Sequence, residues 1–177
     1  MNKGAKISNG EFIVYVNSGD TLLVNALEII QRKINEKSNI DFVFGTVKRH
    51  YTKDTIIKSG FNKKKLKYNF DFATSHSTGF FVRNSKLKEI GLFNTNYKCS
   101  ADYDVYYKLL ILNNLNGTST RHDELIGEVS SGGFSSKKSF FEHLKEESLI
   151  RLNNNQNKFI VMIIFINALI KNFFKNL

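Results

Sequence analysis

Two short acidic patterns in this chain have the residue types for chemistry. Asn17-Ser18-Gly19-Asp20 closes the apolar run Glu11 to Val16 and precedes a stretch of helical periodicity. A carboxylate at the tip of a strand, beside a glycine that lets a phosphate approach, suits a metal-bound diphosphate. Mg²⁺ and Mn²⁺ take oxygen ligands and often bridge phosphates with only one or two carboxylates. Asp20 before Thr21 and a helix fits an N-cap equally well. The second pattern is Ser100-Ala101-Asp102-Tyr103-Asp104, at the start of another helical stretch. The helix dipole keeps a carboxylate in the first turn ionised, and such a group near a substrate hydroxyl can act as general base. Asp102 and Asp104 lie two apart, on roughly opposite sides of a helix, so only one faces a given site. Two surface residues satisfying the dipole are the alternative.

Weaker candidates accompany them. His76, in Thr74-Ser75-His76-Ser77-Thr78-Gly79, can donate to a phosphate or sugar hydroxyl, or simply satisfy backbone groups. Gly132-Gly133, between Ser131 and Ser135, can form a lid, a phosphate-contacting turn or a plain loop. His50, His122 and His143 show no ligand spacing.

The elements that must position these residues read as α/β. Glu11 to Val16, Asp41 to Lys48 and Gly79 to Arg83 are short apolar runs with little alternation, as expected of strands buried on both faces. Thr21 to Glu36 carries Leu22, Leu23, Ala26, Leu27, Ile30 and Ile34 at helical spacing. Strand, polar loop, helix is the layout that places ligands at the carboxyl ends of strands. Lys53 to Tyr68 reads as a Lys-rich surface excursion around a short strand at Thr55-Ile56-Ile57, with Lys63-Lys64-Lys65 in a solvated loop. Lys86 to Ile90 reads as a short helix with Gly91 at its C′ position. Ser100 is a credible N-cap for a helix over Ala101 to Asn113, closed by Asn116-Gly117. Glu124 to Val129 is the last expected strand. Ser136 to Leu152 is an amphipathic helix with Phe140, Phe141, Leu144 and Leu149 on its apolar side. The final segment, Phe159 to Ile170, is interrupted by Asn167 and shorter than the roughly 20 apolar residues that span a bilayer. It reads as an interfacial or docking helix, or as a helix packed on its own domain.

Bulk properties narrow the function classes. With 177 residues, 41% hydrophobic and 13% aromatic, the chain can bury one domain core. A net charge of +10 favours anionic partners. No nucleic-acid module signature is present, and a nucleic-acid partner is not expected. The single cysteine, Cys99, excludes an intramolecular disulfide framework and a cysteine-based zinc site, and suits a reducing compartment. The N-terminus lacks the apolar stretch of a signal peptide, which argues against secretion.

The order of these motifs resembles the family 2 glycosyltransferases of the GT-A fold, of the type that builds bacterial surface polysaccharides. The resemblance covers residues 1 to about 136, with 137–177 as C-terminal helices, the last apolar and membrane-associated. It implies a partial GT-A, Rossmann-like mixed sheet flanked by helices. It also implies inverting transfer of a sugar from a nucleotide-sugar donor to a polysaccharide or lipid-linked acceptor. By resemblance, Asn17, Ser18, Gly19 and Asp20 form the diphosphate motif, Asp20 is the ligand of a divalent cation (Mg²⁺ or Mn²⁺), and Asp102 is the general base. Asn2, His76, Asp104, Gly132 and Gly133 fall on substrate-lining stretches. Gly19 stands where the family carries an aspartate of the metal motif, which weakens the expectation of a metal, and Ala101 stands where a glutamate often precedes the base. Nothing before Met1 supplies the family's nucleotide-reading strands, so the chain reads as an acceptor-side portion, inactive alone. The alternative is a non-catalytic membrane-surface or protein-interaction module. Either way the expected location is the cytoplasm, with the inner face of the membrane as the place of any lipid contact.

Overall fold

The computed structural model describes residues 1–51, 54–68, 76–133 and 137–175. Its centre is one extended passage of chain that serves two sheets. β3 (Phe42–Phe44) and β4 (Thr46–His50) are separated by Gly45 alone. The first sheet runs β1 (Phe12–Ile13), β6 (Phe80–Arg83), β3, β7 (Gly117–Ser119). The second runs β2 (Thr21–Leu22), β8 (Leu125–Val129), β4, β5 (Thr55–Lys58). Both are mixed: β3–β7 and β4–β8 pair in parallel and the other neighbours are antiparallel. A Cβ on Gly45 would sit 2.4 Å from Ile126 Cγ1, and the Gly45 N–H donates to Gly79 O at 2.7 Å. The chain therefore changes sheets at a point where only glycine fits.

The unalternating apolar pattern has its expected meaning in β3 and β6. Phe42, Phe44, Phe80 and Val82 face a core shared with Leu87, Tyr103, Tyr106, Tyr107 and Ile150. Val43 and Phe81 face the other way, onto Ala26, Ile29, Ile30 and Ile126. With period two, both faces of these strands are covered. The helices α2 (Ala26–Asn35) and α5 (Ala101–Tyr107) lie on opposite sides of the sheet region.

Several expectations are corrected. The run Glu11 to Val16 is only half-buried, and just Phe12–Ile13 pairs, because β1 is an edge strand with β6 on one side. Thr21 and Leu22 are not helical: they pair with Glu128 and Gly127, and Leu27 is exposed. The free edge of β8 recruits these residues, and the helix begins only after Asn25. Lys63-Lys64-Lys65 lies in a helix, α3 (Lys63–Tyr68), anchored by the fully buried Leu66. Lys63 Nζ donates to Asn114 Oδ1 and Leu115 O, both at 3.0 Å. Asn116-Gly117 opens β7, an unexpected strand, rather than merely ending a helix. The helix after Ser100 continues as a π-helical turn over Lys108–Leu112. Gly91 follows α4 (Asn84–Glu89) at φ 89°, as the C′ glycine was expected to.

α6 (Phe140–Asn153) opens on a capping box between Ser139 and Glu142. It buries Leu144, Ser148, Ile150 and Arg151, whereas Phe140, Phe141 and Leu149, expected on its apolar side, are exposed. The reason is Arg151. Its guanidinium stands over the rings of Tyr103 and Tyr107 and donates to the carbonyls of Leu66 and Lys67, fixing which side of α6 turns inward. The last helix, α7 (Lys158–Lys175), buries Val161 and Ile164, and its Phe165 meets Phe141 of α6 edge-on at 6.2 Å. Among the described residues no helix is long and apolar enough to cross a membrane.

Candidate active site

A cavity of about 370 Å³ lies at the start of α5, between α6, the end of β4 and the loop before β6. It gathers Asn17, Arg49, His76, Asp102, Tyr106, His143 and Glu147. Asp102 enters it because the N-terminus of α5 is held from outside. Glu146 of α6 accepts the backbone N–H groups of Lys98, Cys99 and Ser100 at 2.6, 2.7 and 2.7 Å. These amides of the lead-in to α5 are thus satisfied by a carboxylate from another helix, while the Ser100 side chain, the expected N-cap, makes no cap hydrogen bond. The Ser100 hydroxyl instead meets His143 Nδ1 at 3.4 Å. Burial raises the Glu146 carboxyl, but the three N–H donors and the Cys99 thiol outweigh it and leave the group below its ordinary range. The Cys99 thiol is raised to about 11 by burial and by Glu146, so it is protonated and unreactive at neutral pH.

Asp102 itself accepts the Tyr103 N–H at 2.8 Å. Burial pushes its carboxyl up to about 6, against the lowering pull of backbone N–H groups, His143 and Arg49. Glu147 is pushed further, to about 8, by burial and by the nearby Asp102 charge, with Arg151 opposing. Of the two carboxyls facing this cavity, Asp102 is thus ionised and Glu147 protonated near pH 7. Arg49 has no carboxylate partner among the described residues, and its cation stacks on Tyr51 at 5.3 Å. Burial holds His76 below its usual range, assisted by Arg49 and opposed by Asp20. Its Nδ1 accepts the Thr78 N–H at 3.4 Å, so the neutral ring carries its proton on Nε2, as a donor.

The Asn17-to-Asp20 turn divides between site and scaffold. Asn17 lines the cavity and donates to Ser77 Oγ at 2.7 Å. Gly19 takes φ 86°, which only glycine adopts readily, and its carbonyl accepts the Ser130 hydroxyl. Asp20 does not reach the cavity. Its side chain is 4% exposed, and its two oxygens accept the Thr78 hydroxyl at 2.6 Å and the Ser130 N–H at 3.0 Å. It is neither the helix N-cap nor an open ligand position. It ties β2, β8 and the turn before β6 together. Among the described residues no group of three His, Cys, Asp or Glu side chains could hold a metal ion. Each Asp20 oxygen already accepts one protein donor, so a cation there would have to share or displace these bonds.

Three other expected residues also lie elsewhere. Asp104 is buried, paired with Lys108 at 2.7 Å and with Asn154 Nδ2 at 2.9 Å, as the two-residue spacing from Asp102 requires. Asn2 exchanges two hydrogen bonds with the backbone of Phe93, at 2.8 and 3.1 Å, and anchors α1 (Asn2–Ile7). Gly132 and Gly133 are exposed and outside the cavity lining, while Phe134 and Ser135 of that loop lie outside the described residues.

No family model matches the sequence, and no curated protein matches it. Solved structures do. Staphylococcus aureus TarS 1–349 in complex with UDP-GlcNAc superposes with a TM-score of 0.60 at 16% identity, over 95% of this chain and 50% of that one. TarS 1–349 alone gives 0.59 at 16%, over 94% and 49%, and another TarS structure gives 0.60 at 18%, over 94% and 30%. The chain shares the mixed α/β fold of these TarS structures. It spans about half the length of the TarS 1–349 structures it matches.

Sequence reasoning missed several polar residues of the cavity, among them Arg49, Ser77, His143 and Glu147. Arg49 carried no motif. Ser77 was quoted only as a neighbour of His76. His143 and Glu147 had a usable signal: they are four apart on an amphipathic helix, hence on one face.

Proposed function

We propose that this chain carries the acceptor side of an inverting sugar-transfer site, with a nucleotide sugar as donor and Asp102 as general base. The observation that supports it is the position of Asp102: at the mouth of α5, in a cavity, with its carboxyl pushed up to about 6. A base is most effective when its pKa lies near the working pH. The likeness to TarS, one of whose structures holds UDP-GlcNAc, supports the choice of donor class.

The acceptor hydroxyl gives its proton to Asp102 as its oxygen attacks the anomeric carbon. One C–O bond forms, the bond from that carbon to the diphosphate oxygen breaks, and the nucleoside diphosphate leaves with the electron pair. Glu147, still protonated, does not compete as base and can donate a hydrogen bond to the acceptor. Arg49 supplies the fixed positive charge, and the Nε2–H of His76 and the Asn17 amide supply neutral donors. No step is assigned to a metal, and both Asp20 oxygens accept protein donors.

The decisive experiment pairs nucleotide-sugar binding with transfer in the Asp102→Asn variant. Binding should persist and transfer should fall by about 10²-fold or more, the usual worth of a positioned base. Unchanged transfer would remove Asp102 from the mechanism.

A further inference from the structure

α7 is apolar on two opposite sides. Val161 and Ile164 are buried, and Phe165 meets Phe141 of α6, so the domain covers one of them. The other carries Phe159, Ile163, Ile166, Ile170 and Phe173, spaced four, three, four and three residues apart. That alternation is the heptad seam of paired helices, and at 100° per residue it holds all five side chains within about 80° of the helix surface. Met162 and Leu169 widen the stripe on one flank, with Lys158 beyond them, while Asn167 and Lys171 border the other flank. A helix that is apolar on both sides is ordinarily covered on both. Among the described residues this stripe stays exposed.

We propose that this stripe pairs with the same stripe of a second copy of the chain, so that two α6–α7 helix pairs meet across a two-fold axis. Area supports a protein partner. The five seam residues with Met162 and Leu169, exposed by 37% to 63%, present roughly 700 Å², against ~300–600 Å² for the largest patch of a typical monomer and ~800 Å² from each partner of a stable interface. Shape supports a copy of the same helix. A four-three seam offers knobs and holes at one repeat, so it complements itself, as a two-fold contact requires. Charge permits it. Lys158 and Lys171 stand outside the stripe, so two chains of net charge +10 meet here without setting lysine against lysine. A lipid surface accounts for less of the pattern. An interfacial helix sets its apolar face against a strongly polar one, whereas the far side of α7 is apolar and packed on α6, and lipid imposes no four-three register.

Sedimentation velocity of the full chain from about 1 µM to about 100 µM tests this, because self-association makes the mass depend on concentration. A particle of twice the mass of one chain is expected at the upper end. Ile163→Glu and Ile170→Glu, at exposed seam positions, should each weaken association by about 100-fold or more, since each sets two carboxylates in an apolar contact. Ile163→Leu keeps the seam apolar and should stay dimeric. Leu27→Glu, at an exposed position on α2, should change nothing. Circular dichroism checks that each variant is folded, and Ile170→Ser decides if a glutamate variant is not. A single-chain mass throughout, or open-ended aggregates, overturns the proposal. So does a dimer that survives both glutamate variants, or one that Leu27→Glu also abolishes, since either puts the contact elsewhere. Flotation of a single-chain species on phosphatidylcholine–phosphatidylglycerol vesicles, lost in Ile163→Glu, would give the stripe to lipid and overturn it equally.

Discussion

The Ser100 N–H donates to Glu146 Oε2 at 2.7 Å, and through that bond a helix on one side of the cavity holds the start of the helix that carries Asp102. Two more amides, of Lys98 and Cys99, converge on the same carboxylate. The segment before α5 is therefore not free to choose its own path. Its backbone donors point at one negative charge, and Asp102, two residues on, inherits a fixed position. The arrangement is a helix lead-in held by a distant acid, which acts only when α6 is docked.

Glu146→Ala should leave three backbone N–H groups without this acceptor. Loss of stability by about 2 kcal/mol is expected, in the range for a partly solvated cluster of charged hydrogen bonds. Glu146→Gln retains one acceptor oxygen and should lose less. Urea denaturation of the three proteins ranks them, and an Ala variant as stable as the Gln variant would show that the amides find water instead.

The rate of transfer should rise through pH 6 and level off above it, because the base form of Asp102 accumulates as pH passes its raised pKa. The groups that set this value are the Tyr103 N–H, His143 and Arg49, which lower it, and burial, which raises it. Arg49→Gln removes a cation and should move the midpoint upward. The check is a pH–rate profile for each protein. A midpoint in the variant that stays put or falls would separate Arg49 from Asp102.

Glu147 makes a prediction about stability that does not depend on any substrate. Its carboxyl is raised in the folded state to about 8 from an ordinary 4.5. Between those values the folded protein binds more protons than the unfolded chain, so stability falls as pH rises from about 4.5 to 8. Asp102 acts in the same direction over a lower window, from 3.8 to about 6. Glu147→Gln removes the Glu147 contribution, and its melting temperature should decline less than the parent's between pH 5 and pH 8. Parallel curves across that range would contradict the raised carboxyl.

Asp20 sets an expectation about metals. With both carboxylate oxygens accepting protein donors, nucleotide-sugar affinity should be the same in EDTA as in Mg²⁺ or Mn²⁺. Titration under the three conditions checks this. Strong cation dependence, abolished by Asp20→Asn, would show that a cation displaces the Thr78 hydroxyl.

Much of the scaffold was legible along the chain because its signals are local. The double-faced apolar runs at 42–44 and 80–83 announced strands covered on both sides, and Gly91 announced the end of a helix. The spacing of Asp102 and Asp104 announced that they would part company, and they do, one into the cavity and one into the core. What failed to show was pairing at a distance. Thr21 and Leu22 follow a helical pattern, yet the open edge of β8 draws them into a sheet over a separation of about a hundred residues, as edge strands do.

The sequence by itself determined that this is an α/β chain with a Gly-Asp turn after an apolar run and a helix opening on aspartates. Those properties depend on residue type and near-neighbour period. Only the tertiary structure decided which aspartate faces the cavity. Docking of α6 places Glu146, Glu147 and His143 around Asp102, while the approach of Ser130 and Thr78 closes off Asp20. A carboxylate's role follows from its solvation and its partners, and both are set by residues far away in the chain.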